Sequence, residues 1–112
     1  MRIALIGATG QLGSDLLPRL QAAGHDLLPL GHADIEITDT ERVASRLEPF
    51  QPQLVINAAA YNLVDKAEDE PDVAYAVNGL GPHNLALFCE RHAAALMHIS
   101  SDYVFEIGRA HV

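Results

Sequence analysis

The stretch "GATGQLG", residues 7–13, carries three glycines spaced G-x-x-G-x-x-G directly after the apolar run "RIALI". Such a turn between a strand and a helix suits a phosphate or diphosphate. Gly7 can turn sharply off the strand, Gly10 lets the backbone approach a pyrophosphate with no Cβ in the way, and Gly13 lets the helix pack closely. A helix starting near Gln11 would aim unpaired N–H groups and the positive end of its dipole at the phosphates. The spacing differs from the G-x-G-x-x-G dinucleotide fingerprint, and glycines also mark ordinary tight turns, so the motif alone leaves both readings open. The acidic residue that commonly holds a ribose about twenty residues further on is absent, since that position reads Leu30-Gly31-His32. Nothing there would repel a 2′-phosphate and no Arg or Lys stands there to hold one, so NADPH and NADH are both permitted, with a mild lean to NADPH. His32 could contact a phosphate, but reads more readily as an exposed loop residue.

The elements that must position this turn alternate in kind. "RIALIG" (2–7), "HDLLPL" (25–30), "QLVINAAA" (53–60) and "ALMHISS" (95–101) are short apolar runs without polar alternation, as expected of strands covered on both faces. Between them lie helical patterns. The first runs from Gln11 to Ala23 with Leu12, Leu16, Leu17 and Leu20 on one face and Gly24 placed as a left-handed C-cap. The second starts at "TDTERV", where Asp39 is the expected N-cap, and ends before Pro49; the third spans about Pro71 to His92. Strand and helix alternating at these lengths predict an α/β fold: a Rossmann-type parallel sheet flanked by helices and joined by right-handed crossovers. The position of the glycines after the first such strand favours the dinucleotide reading.

At 112 residues the chain is at most one domain. Its net charge of −8 and lack of a basic stripe argue against nucleic acid and anionic membranes as partners. No apolar run approaches a membrane span, which makes a cytoplasmic location the default. The single cysteine, Cys89, lies beside Leu87 and Phe88 and reads as a core or boundary residue, and no metal site is expected. Asp65 to Glu68 has the form of a capping box, and "EDEPD" (68–72) reads as a solvated helix start. Asn57 and Asn78 stand in apolar or helical settings, which points to buried hydrogen-bonding duties. Pro82 lacks the N–H that would bond the carbonyl of Asn78, leaving that carbonyl free for another partner.

Two longer segments, "LVINAAAYNLVDKAEDEPDVAYAVN" (54–78) and "HISSDYVF" (98–105), make the reading specific. With the glycine turn they resemble the N-terminal part of the dTDP-4-dehydrorhamnose reductase family, a branch of the extended short-chain dehydrogenase/reductases. In that family the turn reads G-x-x-G-Q-L/V-G, the third main strand ends in N-A-A-A, a V-D-K-A-E segment follows, and S-T-D-Y-V-F closes the next strand. The resemblance covers residues 1 to about 105 and implies an NAD(P)-binding Rossmann domain there, its parallel sheet truncated after the fourth main strand. It implies that Gly7 and Gly13 shape the turn and that Gly10, Gln11 and Leu12 touch the pyrophosphate. Glu36 and Ile37 stand where the family has an Asp-apolar pair lining the adenine pocket. Asn57 and Ala58 belong to the same site, with Ala60, Tyr61 and Asn62 beside the ribose and nicotinamide. Ser101, in place of the family's threonine, would be the catalytic hydroxyl that helps a Tyr-x-x-x-Lys pair polarise a 4-keto group. Serine offers the same hydrogen bonds as threonine.

No tyrosine here has a lysine four residues on: Tyr61, Tyr75 and Tyr103 are followed at that spacing by Asp65, Gly79 and Ile107. The resemblance therefore implies a cofactor-binding fragment, inactive alone, of a protein that reduces dTDP-4-dehydro-L-rhamnose to dTDP-L-rhamnose with NADPH or NADH, with a homodimer as its possible assembly. Two alternatives stand beside it: an inactive NAD(P)-binding regulatory subunit, and a sugar-nucleotide epimerase or dehydratase of the same superfamily. The tail "EIGRAHV" departs from the family, which continues D-G after Y-V-F. It can be decoded from GAG ATC GGA AGA GCA CAC GTC, which matches the start of a common sequencing adapter, so residues 106–112 are expected to be non-native.

Overall fold

The computed structural model describes residues 1–59 and 80–99, together with the backbone of a strand at 104–107. Chain order is β1 (Arg2–Ile6), α1 (Gln11–Ala22), β2 (Asp26–Leu30), α2 (Thr40–Leu47), β3 (Leu54–Asn57), α3 (Gly81–Arg91), β4 (Ala95–Ile99) and β5 (Val104–Ile107). The sheet order is β2-β1-β3-β4-β5. The first four strands are parallel, with Ile3 opposite both Leu27 and Leu54, and Asn57 opposite His98. This is the expected Rossmann-type layering. It carries one addition: β5 turns back antiparallel on β4, pairing Val104 with Ile99, and runs across the 105/106 boundary. The start expected for the third helix, Asn78 and the 65–72 segment lie outside the described residues.

Two apolar layers hold the sheet between helices. On one face Ala4, Ile6, Val55 and Leu96 pack with Val43 and Leu47 of α2 and Leu85, Phe88 and Cys89 of α3. On the other, Ile3, Leu5 and Ile56 pack against Leu16, Leu17 and Leu20 of α1. Leu12 does not join its helical partners and is 40 % exposed. The run 25–30 also departs from the expectation of a strand covered on both faces, since Asp26 and Pro29 are exposed. Among the described residues β2 pairs only with β1, so it is an edge strand, where a proline costs no ladder bond and blunts further pairing. Cys89 is a core residue, and burial pushes its thiol up to about 12, which leaves it inert at neutral pH.

The helix ends follow local chemistry. The Asp39 side chain accepts from the Glu41 and Arg42 amides at 2.9 and 3.3 Å, the expected N-cap of α2. Gly24 ends α1 at φ +87°, as its type predicts. The other two described helices are followed by Gln51 at φ 51° and Ala93 at φ 55°, left-handed positions filled by residues with a Cβ. Replacing Ala93 with glycine is therefore expected to stabilise the fold by about 0.5–1 kcal/mol. Tm in thermal denaturation should rise by about 4 °C; a fall would contradict the left-handed ending.

Candidate functional site

The site forms where the C-terminal ends of β1, β2 and β3 meet, at the point where successive connections leave the sheet in opposite directions. Gly7 turns the chain off β1 at φ +81°. Its amide and that of Ala8 donate to the Leu30 carbonyl at 2.9 and 3.1 Å, and Ala58 donates to Ile6 at 2.9 Å, so three strand ends are tied together. A Cβ at Gly7 would lie 2.7 Å from the Ala58 backbone, and one at Gly13 would overlap the Gly7 carbonyl oxygen. Gly10 differs: the nearest atom to a Cβ there is Gly7 O at 3.4 Å, and its φ of −77° suits any residue. Steric need inside the fold thus accounts for Gly7 and Gly13. It leaves Gly10 as the one glycine of the three whose bare face looks outward.

The start of α1 is chemically unlike that of α2. Its N-cap is Gly10, with no side-chain acceptor and no acidic residue in the first turn, whereas α2 has Asp39 and Glu41 in those places. The first helical bond is Ser14 N–H to Gly10 O, at 2.9 Å. The amides of Gln11, Leu12 and Gly13 precede it and have no intrahelical acceptor. They make a helix terminus suited to an anion.

Beside it opens a cleft of about 230 Å³, walled by Gly7, Thr9 and Gly10 from the first turn, Gly31, His32, Ile35, Glu36 and Ile37 from the second, and Ala58 and Ala59 from the third. Whole-ligand pockets run to about 300–1,000 Å³, so these walls suit one end of a dinucleotide. Ile35 and Ile37 are buried and hold the loop down, while exposed Glu36 accepts from the Thr38 hydroxyl at 2.7 Å. From behind, the buried Asn84 donates to the Ile37 carbonyl at 2.9 Å. Asn57 is fully buried; its Oδ1 accepts from the Ala59 amide and its Nδ2 meets His98 Nδ1, each at 3.1 Å. Burial lowers the pKa of the half-buried His98 imidazole.

Of the residues picked from sequence, Gly7, Gly10, Glu36, Ile37 and Ala58 come together in this cleft. Gln11, Leu12 and Gly13 follow Gly10 on the first turn of α1 and do not line the cleft, Gly13 being buried against the Gly7 turn, and Asn57 stands behind the wall. Ala60, Tyr61, Asn62 and Ser101 lie outside the described residues. His32, weighed in the sequence as a phosphate contact, also lines the cleft, whereas Thr9, Gly31, Ile35 and Ala59 were missed, because no motif spacing marks them for ligand contact. Two further points concern the rim of the cleft beside the end of β2. Asp34 curls back to accept from the Gly31 amide at 2.7 Å, which puts a carboxylate at the end of β2 by way of the loop. A second hollow of about 350 Å³ shares His32 and Glu36 with the cleft and includes Arg42 and Arg46 of α2. Their helical i, i+4 spacing was the only sequence signal for that pair. Among the described residues no cluster suits a metal ion, and no helix is long and apolar enough to cross a membrane.

This geometry has close relatives. A dTDP-4-dehydrorhamnose reductase of Mycolicibacterium smegmatis is 48 % identical over 93 % of this chain and 31 % of its own length. One from Streptomyces griseus is 43 % identical over 93 % of this chain and 34 % of its own. A Bacillus anthracis dTDP-4-dehydrorhamnose reductase solved in complex with NADP superposes with a TM-score of 0.80 at 35 % identity, covering 85 % of this chain and 34 % of that one. The chain thus spans about a third of the length of the relatives it matches. Its match to the RmlD substrate-binding domain extends over residues 1–111, and the chain belongs to that family.

Proposed function

We propose that this chain is the cofactor-binding portion of an oxidoreductase that reduces dTDP-4-dehydro-L-rhamnose to dTDP-L-rhamnose using NADPH or NADH. The observation that carries the reading is the uncapped start of α1 opening beside a glycine-walled cleft at three strand ends. Its residues fit such a cofactor. The amides of Gln11 and Leu12 would bind the diphosphate, Gly10 would leave its approach open, and Ile35, Glu36 and Ile37 would line the adenine end. Ala60, Tyr61 and Asn62 would flank the ribose and nicotinamide. When bound, the nicotinamide supplies the hydride. Ser101 would donate a hydrogen bond to the substrate's carbonyl oxygen, beside a Tyr-x-x-x-Lys pair that this sequence does not contain. Steady-state turnover of the longer protein on dTDP-4-dehydro-L-rhamnose tests the reading. Reduction with either nicotinamide supports it, and tight cofactor binding without turnover overturns it.

A Gly10→Val variant separates binding from folding. Valine places methyls in the diphosphate's path, and the 3.4 Å clearance to Gly7 O accommodates its Cβ. The expected result is an NADPH affinity about tenfold weaker by isothermal titration, roughly 1.4 kcal/mol. The weaker helix cap should cost no more than about 1 kcal/mol of stability. Unchanged affinity would remove Gly10 from the site.

A further inference from the structure

Asn57 and His98 face each other across β3 and β4 at the end of the sheet where the cleft opens. The orientation of the Asn57 amide follows from its neighbour. The Ala59 N–H is a donor and needs an acceptor, so the atom 3.1 Å from it is Oδ1. That leaves Nδ2, a donor, pointing at His98 Nδ1 at 3.1 Å, so Nδ1 must be the acceptor and the ring proton sits on Nε2. One backbone amide thus fixes an asparagine orientation, and the asparagine fixes a histidine tautomer. The far end of this relay matters to the cleft. Ala58 and Ala59 form its third wall, and the backbone there lies 2.7–2.8 Å from where a Gly7 Cβ would stand. A shift of that turn of even a few tenths of an ångström would reshape the wall.

We propose that His98 is a positioning residue for the cofactor cleft, acting through Asn57 to hold the Ala58–Ala59 turn against Gly7. The inference rests on reading this cleft as a nicotinamide-cofactor site and adds a residue outside its walls. With Nδ1 as acceptor, Asn57 keeps Oδ1 on the Ala59 amide. A side chain without that acceptor strands the buried Asn57 amide and frees it to rotate away from Ala59.

Two variants separate this role from packing. His98→Asn loses the ring but puts an oxygen near the place of Nδ1, and His98→Phe keeps a ring of similar size without any acceptor. The expected result is NADPH affinity within about threefold of wild type for H98N and about tenfold weaker for H98F. A packing role gives the opposite order, and that order would overturn the proposal. A second measurement needs neither variant. Long-range ¹H–¹⁵N NMR of the wild-type chain should find Nδ1 unprotonated at neutral pH. In Asn57→Asp, whose carboxylate replaces the donor, a proton should move onto Nδ1. A wild-type ring protonated on Nδ1 would also overturn the proposal. Wild type that binds no nicotinamide while keeping the expected tautomer would instead fail the cofactor reading, a result the NMR distinguishes from the other two.

Discussion

An alanine at position 13 is expected to cost about 3 kcal/mol of stability, one of the largest effects of a single methyl among the described residues. Overpacking a core usually costs about 1–3 kcal/mol because side chains and local backbone can yield. Here the atoms in the way are the Gly7 carbonyl oxygen and carbon and the Ala8 Cα, all backbone. They have little room to retreat. Gly7 and Ala8 are bonded to Leu30, and Gly7 stands against the Ala58 backbone. The helix must therefore lift from the turn, which loosens Leu16, Leu17 and Leu20 from the sheet. Against a total of about 5–15 kcal/mol, that loss is plainly visible in urea denaturation. A midpoint equal to wild type would mean that α1 does not rest on the Gly7 turn.

The second large effect concerns the chemistry, and follows from the proposed role of Ser101. A hydroxyl that donates to the substrate's carbonyl oxygen does most when negative charge builds on that oxygen, so its contribution is greater in the transition state than in the ground state. In the longer protein Ser101→Ala is expected to lower kcat on the order of 10²-fold, about 3 kcal/mol, with NADPH affinity nearly unchanged. Ser101→Thr restores the hydroxyl type of the resembling family and should stay within about tenfold of wild type. Side-by-side turnover of the three proteins measures this. Wild-type kcat in the alanine variant would strip Ser101 of its role.

The layering was legible because alternating apolar runs and capped helical patterns report local propensity and burial, and both survive folding here. Asp39 and Gly24 performed the helix-end roles that their types suggested. What escaped was set by the pairing of distant segments. The exposed Pro29 shows that a run can be apolar and still form an edge, because position in a sheet is decided by the other strands. The return of β5 along β4 has the same origin. At the site, the glycines were legible because turns demand particular residues. Asn84 was not, since its partner, the Ile37 carbonyl, is remote in sequence. Asn57 was read as a buried hydrogen-bonding residue, and it is one; its partner His98 belongs to the next strand and could not be paired from the sequence.

The three-sided construction of the cleft also bears on how the chain folds. The bonds that lead into α1, Gly10 N–H to Gly7 O and Ser14 N–H to Gly10 O, join near neighbours and close at small entropic cost, whereas the Gly7 and Ala8 amides wait for Leu30 of β2. The third wall arrives only when β3 has crossed over to pair with β1, bringing Leu54 opposite Ile3 and the Ala58 amide onto the Ile6 carbonyl. That closure joins residues as far apart in the chain as Ile3 and Leu54 and is a non-local step. The start of α1 can therefore form before the cleft is complete. A ligand that needs all three walls is a brake on unfolding and not a template for folding.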